Sequence, residues 1–142
     1  MKTVRQLLQV KGSQIYAIAP DARVFDALTL MAEREVGALV VTDGGRLAGI
    51  ISERDYARKV ILHGKSSHEM QVRDIMTAKV ITVHPGQTIE ECMALMTGKR
   101  FRHLPVIEGD RLIGVVSIGD LVKEVIAEQE QTIKQLESYI HS

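Results

Sequence analysis

Apolar residues follow two spacings along this chain, one typical of helices and one typical of short buried strands. Two sets of residues share the i, i+3, i+4, i+7 spacing that places side chains on one buried helix face. They are Val24, Ala27, Leu28 and Met31, and then Ile89, Cys92, Met93 and Met96. Short apolar runs rich in Val, Ile and Leu predict strands at 15–18, 38–42, 47–51, 80–83, 103–107 and 112–116.

These elements repeat. Shifting the sequence by 65 residues aligns 15–61 with 80–126 without a gap, and 13 of the 47 positions are identical. Each copy predicts the order β-α-β-β-α, and glycine-containing turns at 43–46 and 108–111 predict two tight hairpins. The chain is therefore a duplicated unit.

One copy of about 47 residues is only marginally stable alone, so the two copies are expected to pack together. The predicted fold is α/β (α+β), with two β-α-β-β-α repeats packed about a pseudo-twofold axis. The expected divisions are an N-terminal lead-in, repeat 1, a linker with a second lead-in, repeat 2 and a C-terminal helix extension. Their ranges are 1–14, 15–62, 63–79, 80–126 and 127–142. Each lead-in is predicted to belong to the repeat that follows it.

Composition narrows the class of protein. The chain has 142 residues, with 18 Lys and Arg set against 18 Asp and Glu, which disfavours an electrostatic nucleic-acid binder. Its 45% hydrophobic content is too high for a disordered chain, and no apolar run approaches the roughly 20 residues of a membrane span. The N-terminus lacks the apolar core of a signal peptide. We expect a soluble, cytoplasmic protein that binds neither nucleic acid nor membrane.

The most informative motif is Gly-x-x-Ser-x-x-Asp, which occurs at Gly49 to Asp55 and again at Gly114 to Asp120. A serine followed three residues later by an acid, just before a helix, is a capping box. The same geometry suits a nucleotide, because helix N–H groups and a hydroxyl bind phosphate and a carboxylate accepts hydrogen bonds from a ribose diol. Both interpretations stay open at this point.

Three features together resemble one family. They are the lead-in Val72-Arg73-Asp74-Ile75-Met76-Thr77, the strand Arg102-His103-Leu104-Pro105-Val106 and the repeated Gly-x-x-Ser-x-x-Asp. In this order and spacing, over about 3–126, they resemble a tandem pair of cystathionine-β-synthase-type (CBS) domains, also called a Bateman module. The resemblance implies a regulatory module that binds AMP, ADP, ATP, NAD(H) or S-adenosylmethionine between the repeats, and a homodimer.

The resemblance also implies two ligand clefts, with the motif Ser near phosphate or ribose and the motif Asp on the ribose hydroxyls. The predicted primary site consists of Tyr16, Ala17, Gly37, Ala38, Leu39, Arg102, His103, Ser117 and Asp120. The predicted second cleft consists of Ser52, Arg54, Asp55, Ile81, Thr82, Leu104 and Pro105, with His103.

The two clefts are expected to differ in affinity. Lys99, Arg100, Arg102 and His103 form a basic cluster that has no counterpart in the first repeat. This cluster is either a solvated loop or a group of side chains that bind a ligand phosphate, since the arginine fork suits phosphate. The bulk of Arg102 and His103, where the first repeat has Gly37 and Ala38, predicts a less open second cleft.

No feature indicates catalysis. The five histidines lack metal-ligand spacing, Cys92 lies on an apolar helix face, and nucleotide-hydrolysing or dinucleotide-binding glycine loops are absent from the sequence. We therefore expect neither a metal site nor an enzyme.

The leading hypothesis is a nucleotide sensor that acts on an unknown partner protein. The alternative is a dimerising scaffold whose Ser-x-x-Asp boxes only cap helices. The residues after 126 continue a helix pattern that either packs on its own module or contacts a second copy or a partner.

Overall fold

The computed structural model describes residues 2–99 and 101–141. The first half contains α1 (Val4–Lys11), β1 (Ala17–Ile18), α2 (Val24–Arg34), β2 (Ala38–Asp43), β3 (Arg46–Ser52), α3 (Glu53–Lys59) and a 3-10 turn (Ile61–His63). The second half contains α4 (Val72–Ile75), α5 (Ile89–Lys99), β4 (His103–Glu108), β5 (Arg111–Ser117) and α6 (Ile118–His141). Helices and strands combine as predicted into an α+β fold. In the described ranges, no helix is both long and apolar enough to cross a membrane.

Both predicted hairpins form, and glycines allow their turns. β2 pairs antiparallel with β3 in one sheet, and β4 pairs antiparallel with β5 in another. Gly44 and Gly45 have φ angles of 58° and 82°, and Gly109 has a φ of 63° in the matching turn. Because a Cβ disfavours such angles, these glycines specify short turns and hence the register of each hairpin.

The strand predicted at 80–83 does not form as the matching strand of the first repeat does. There β1 lies parallel to β2, and the Val40 N–H donates to the Tyr16 carbonyl at 3.2 Å. Pro105 takes the place of Val40 in the second repeat and has no N–H, so the matching bond to Ile81 is impossible. One isolated parallel bridge to β4 is left. The second sheet is consequently a two-stranded hairpin.

The two lead-in helices cross over: α1, which precedes the first repeat, packs on the second, and α4, which precedes the second repeat, packs on the first. Val4, Leu7 and Leu8 of α1 are buried in the core of the second repeat, whereas Val72 and Ile75 of α4 are buried in the core of the first. The first N–H of each helix donates to a carbonyl of that same opposite repeat, at 2.8 Å in both cases. The prediction that each lead-in belongs to the repeat that follows it is therefore wrong. Apolar spacing reveals that a helix has a buried face, but not which core covers that face.

The glycine of each Gly-x-x-Ser-x-x-Asp motif allows this exchange of lead-in segments between the two repeats. A Cβ on Gly114 would lie 2.8 Å from the Leu8 side chain, and a Cβ on Gly49 would lie 2.6 Å from the Thr77 carbonyl oxygen. Both distances are far below ordinary van der Waals contact. The repeated glycine thus makes room for the exchanged lead-in segment.

Candidate functional site

Two clefts open between the repeats, and His103 lies in the wall of both. The Asp120 cleft, about 420 Å³, is lined by Lys11, Gly12, Gln14, Tyr16, Glu35, Val36, Gly37, Ala38, Leu39, Val40, Ile50, His103, Val115, Ser117 and Asp120. The Asp55 cleft, about 440 Å³, is lined by Gly37, Ile50, Ser52, Glu53, Arg54, Asp55, Thr77, Val80, Phe101, Arg102 and His103. Their volumes are nearly equal, so the prediction of a less open second cleft is wrong. The Arg102 side chain is exposed and does not fill the cleft beside it.

Most of the predicted primary site lies together. Tyr16, Gly37, Ala38, Leu39, His103, Ser117 and Asp120 all line the Asp120 cleft. Arg102 lines the Asp55 cleft instead, and Ala17 lines neither. Neighbouring side chains along a strand point to opposite sides, which separates Ala17 from Tyr16. Arg102 precedes β4 in a bend, and His103 beside it lines both clefts.

The predicted second site is brought together only in part. Ser52, Arg54 and Asp55 line the Asp55 cleft, and His103 joins them. Four other predicted residues do not line it: Ile81, Thr82, Leu104 and Pro105. Leu104 and Pro105 are buried in β4, Ile81 packs on the second core and Thr82 is exposed, because the strand expected to carry Ile81 and Thr82 is not formed.

Both Ser-x-x-Asp motifs form reciprocal capping boxes. The Ser117 N–H donates to Asp120 Oδ2 at 2.9 Å, and the Asp120 N–H donates to Ser117 Oγ at 3.2 Å. Ser52 and Asp55 repeat this geometry with the same two distances. The capping interpretation is thus confirmed for both copies. Each box also fixes its aspartate in a cleft wall and uses Oδ2, leaving Oδ1 outside the box.

A lysine from outside the repeats completes the Asp120 cleft. Lys11, the last residue of α1, donates from Nζ to Asp120 Oδ2 and to the Val115 carbonyl, each at 2.6 Å. Burial by itself would raise the pKa of Asp120, but hydrogen bonds from Lys11 and from the Ser117 backbone lower it below its usual value. Asp120 is therefore ionised at neutral pH.

Lys11 is not among the predicted site residues because the lead-ins lie outside the aligned repeat. A usable signal exists in the lead-ins themselves. A shift of 68 residues superimposes Val4-Arg5 on Val72-Arg73 and Lys11 on Lys79. This second alignment identifies α1 and α4 as repeated elements, with Lys11 at the end of α1 and Lys79 four residues after α4.

His103, which separates the clefts, is held neutral. Burial is the main cause of its lowered pKa, and the charges of Lys11 and Arg102 lower it further, although Asp120 opposes them. At neutral pH the imidazole offers hydrogen bonds and no full positive charge. The charge for a phosphate in the Asp120 cleft therefore has to come from another residue.

The basic residues at the Asp55 cleft come from other elements than the lysine of the Asp120 cleft. Lys59 Nζ lies 3.4 Å from Asp55 Oδ1 and donates to the Ile75 carbonyl at 2.8 Å. Arg54 and Arg102 line this cleft, whereas Lys59 is not among its described lining residues. Arg100, part of the predicted basic cluster, lies outside the described residues. The two clefts thus share an aspartate geometry and differ, among the described residues, in the origin and number of their positive charges.

Cys92 does not have the surroundings of a nucleophile. Its side chain is fully buried in the second core. This burial, aided by the charge of Glu91, raises the pKa of the thiol to about 11. The residue is therefore a neutral thiol at physiological pH.

Comparisons with known proteins agree with this architecture. The family model described as "CBS domain" matches residues 9–62 and 72–127. A putative signal-transduction protein with CBS domains from Burkholderia ambifaria is 55% identical, with a TM-score of 0.87 over 90% of this chain and 96% of that one. A CBS-domain-containing protein from Agrobacterium tumefaciens is 39% identical, with a TM-score of 0.83 over 87% of this chain and 98% of that one.

A curated relative is longer. The mitochondrial CBS domain-containing protein CBSX3 of Arabidopsis thaliana is 46% identical over 134 residues, and the match covers 91% of this chain and 65% of that protein. The chain thus spans just under two thirds of that relative. Two family matches, on the two copies found in the sequence, show that the chain belongs to the CBS-domain family, a family of regulatory modules, and carries two such domains in tandem.

Proposed function

We propose that this chain is a regulatory module that binds an adenine nucleotide (AMP, ADP, ATP or NAD(H)) in the Asp120 cleft and thereby modulates a partner protein. The observation that carries the proposal is the position of Asp120. A capping box and Lys11 hold its carboxylate in the wall of a cleft whose other wall is Gly37 and Ala38 of the first repeat. Ribose would bind one repeat and the base the other, so ligand binding would set the geometry between them.

The shape and chemistry of the cleft support a nucleoside ligand. Its volume of about 420 Å³ lies within the range of small-molecule sites. Gly37 and Ala38 present little side chain, so a flat base can approach the backbone of the first repeat. Tyr16 offers an aromatic ring at the same wall, and the Arg34 guanidinium lies 5.5 Å from the centre of that ring.

A thermal-shift panel tests nucleotide binding. Because a ligand stabilises the state it binds, a nucleotide at 100 times its Kd should raise the free energy of unfolding by about 2.7 kcal/mol and the melting temperature by several degrees. The panel contains AMP, ADP, ATP, NAD, NADH and S-adenosylmethionine. UMP and CMP, which carry the same ribose and phosphate on other bases, are the matched controls. No shift with any adenine compound would contradict the proposal and favour a scaffold whose boxes only cap helices.

We propose further that a second copy of the chain covers the apolar face of α6. Val122, Ile126, Ile133, Leu136 and Ile140 are all exposed along this 24-residue helix. Ile126, Ile133 and Ile140 are spaced by seven residues, and Leu136 lies three residues after Ile133. This is the heptad pattern of a parallel coiled-coil dimer, with isoleucine at position a and leucine at position d.

Sedimentation velocity tests this homodimer. The wild-type protein is expected to sediment as a dimer, and Ile133→Glu combined with Leu136→Glu as a monomer, because two charges would be buried in the helix contact. Gln131→Glu adds a charge on the opposite face of α6 and should leave the dimer intact. A monomeric wild type, or a doubly substituted protein that stays dimeric, would contradict the proposal.

A further inference from the structure

Lys11 is the one lysine or arginine among the described residues that line the Asp120 cleft. We infer that Lys11 makes this cleft select phosphorylated ligands over the free nucleoside, by exchanging Asp120 for a ligand phosphate as its ionic partner. This inference rests on the proposed function and names the residue that sets its ligand class. Lys11 thus takes the phosphate-binding role predicted for Arg102, which lines the Asp55 cleft.

The structure anchors the backbone of Lys11, while its ammonium group is held, among the described residues, only by Asp120 and the Val115 carbonyl. α1 is anchored in the second core by Val4, Leu7 and Leu8, and Lys2 just before α1 pairs with buried Glu124 at 2.6 Å. At the other end, the Gly12 N–H donates to the Leu8 carbonyl at 2.9 Å and closes the helix. The Lys11 backbone is therefore held, while its four-carbon stem can turn the ammonium group toward another acceptor.

Free nucleoside and nucleotide differ in what they offer this lysine. The ribose of a nucleoside brings two hydroxyl donors to Asp120 and no negative charge, so the ribose and Lys11 compete for one carboxylate. A nucleotide brings a phosphate as well. Lys11 then gains an anionic partner as Asp120 turns to the ribose, and neither charge is left unpaired in the cleft.

The Asp55 cleft provides a matched comparison. The lysine that pairs with Asp55 is Lys59, four residues further on the same helix, and it is not among the described residues that line the cleft. Arg54 and Arg102 do line that cleft, so removing Lys59 leaves its two lining cations in place. Removing Lys11 leaves the Asp120 cleft with no lysine or arginine among the described residues. A substitution at Lys11 should therefore change the preference for a phosphorylated ligand over the free nucleoside, and a substitution at Lys59 should not.

Titration calorimetry with AMP and with adenosine tests the inference. The wild type is expected to bind AMP more tightly than adenosine, and Lys11→Met to lower that ratio about tenfold, the usual scale of one charge-assisted hydrogen bond. Lys11→Arg should retain most of the ratio, and Lys59→Met should leave it unchanged. Lys11→Gln repeats the test with a polar side chain. The ratio compares two ligands on one folded protein, so a purely structural role of Lys11 would not change it.

The outcomes separate this inference from the function on which it rests. If AMP binds and the ratio is the same in Lys11→Met, or falls equally in Lys59→Met, the inference is wrong and nucleotide binding stands. If the wild type binds neither AMP nor adenosine, the inference is wrong, and the proposed function is wrong as well only if ADP, ATP, NAD and NADH also fail to bind. If adenosine and AMP bind the wild type equally, phosphate selection is excluded whatever the variants do.

Discussion

Replacing Asp120 with asparagine is expected to weaken AMP binding by about 100-fold without unfolding the protein. The asparagine oxygen can still accept the Ser117 N–H that now donates to Asp120 Oδ2 at 2.9 Å, so α6 keeps its cap. The new NH₂ group cannot accept from a ribose hydroxyl, and the ribose loses its negatively charged acceptor. Hydrogen bonds to a charged group are worth about 1.5–3 kcal/mol each, and roughly 2.8 kcal/mol corresponds to 100-fold in Kd. Titration calorimetry with AMP measures the change.

Asp55→Asn is the matched control, because Asp55 has the same capping geometry in the other cleft. We expect unequal affinities, with the tighter site at Asp120, so the tighter AMP isotherm should survive Asp55→Asn and disappear in Asp120→Asn. Undiminished AMP binding in Asp120→Asn would contradict the assignment of the primary site. Equal binding at both clefts would contradict the predicted asymmetry.

Leu7→Ala is expected to lower the free energy of unfolding by about 2–5 kcal/mol, the usual cost of removing a large buried side chain. Leu7 is only 3% exposed and lies in the core of the second repeat, more than 75 residues away along the chain. Removing its side chain leaves a cavity between α1 and that core. Urea denaturation followed by circular dichroism measures the loss.

Val10→Ala is the control on the same helix. Val10 is 69% exposed, so its truncation should change the free energy of unfolding by no more than about 0.5 kcal/mol. Equal small effects for Leu7→Ala and Val10→Ala would show that α1 does not dock on the second repeat in solution.

The sequence predicts those parts of the fold that depend on local chemistry. Helix faces follow from the spacing of Val24, Ala27 and Met31, and the hairpins follow from glycines that can adopt positive φ. The Ser-x-x-Asp boxes form because both partners lie three residues apart. Each of these predictions concerns residues close together in the chain.

The remaining features depend on partners far apart in the chain. Pro105 disrupts strand 80–83 only because its missing N–H would have faced that strand across the sheet. Lys11 reaches Asp120 only because α1 crosses to the second repeat. Most of the candidate cleft could be predicted from the duplicated motif. Its lysine is not predicted, since Lys11 lies outside the 65-residue repeat and matches Lys79 only at a shift of 68 residues.

The exchange of lead-in helices also governs when the protein can fold during synthesis. Leu8 lies in one core with residues as distant as Leu121, so α1 cannot reach its final place until β5 and the start of α6 have left the ribosome. Until then α1 presents Val4, Leu7 and Leu8 without the surface that buries them. Contacts of such long range slow folding, and apolar segments that wait for their partners promote aggregation. The N-terminal helix is thus the first element to be made and among the last to be able to dock.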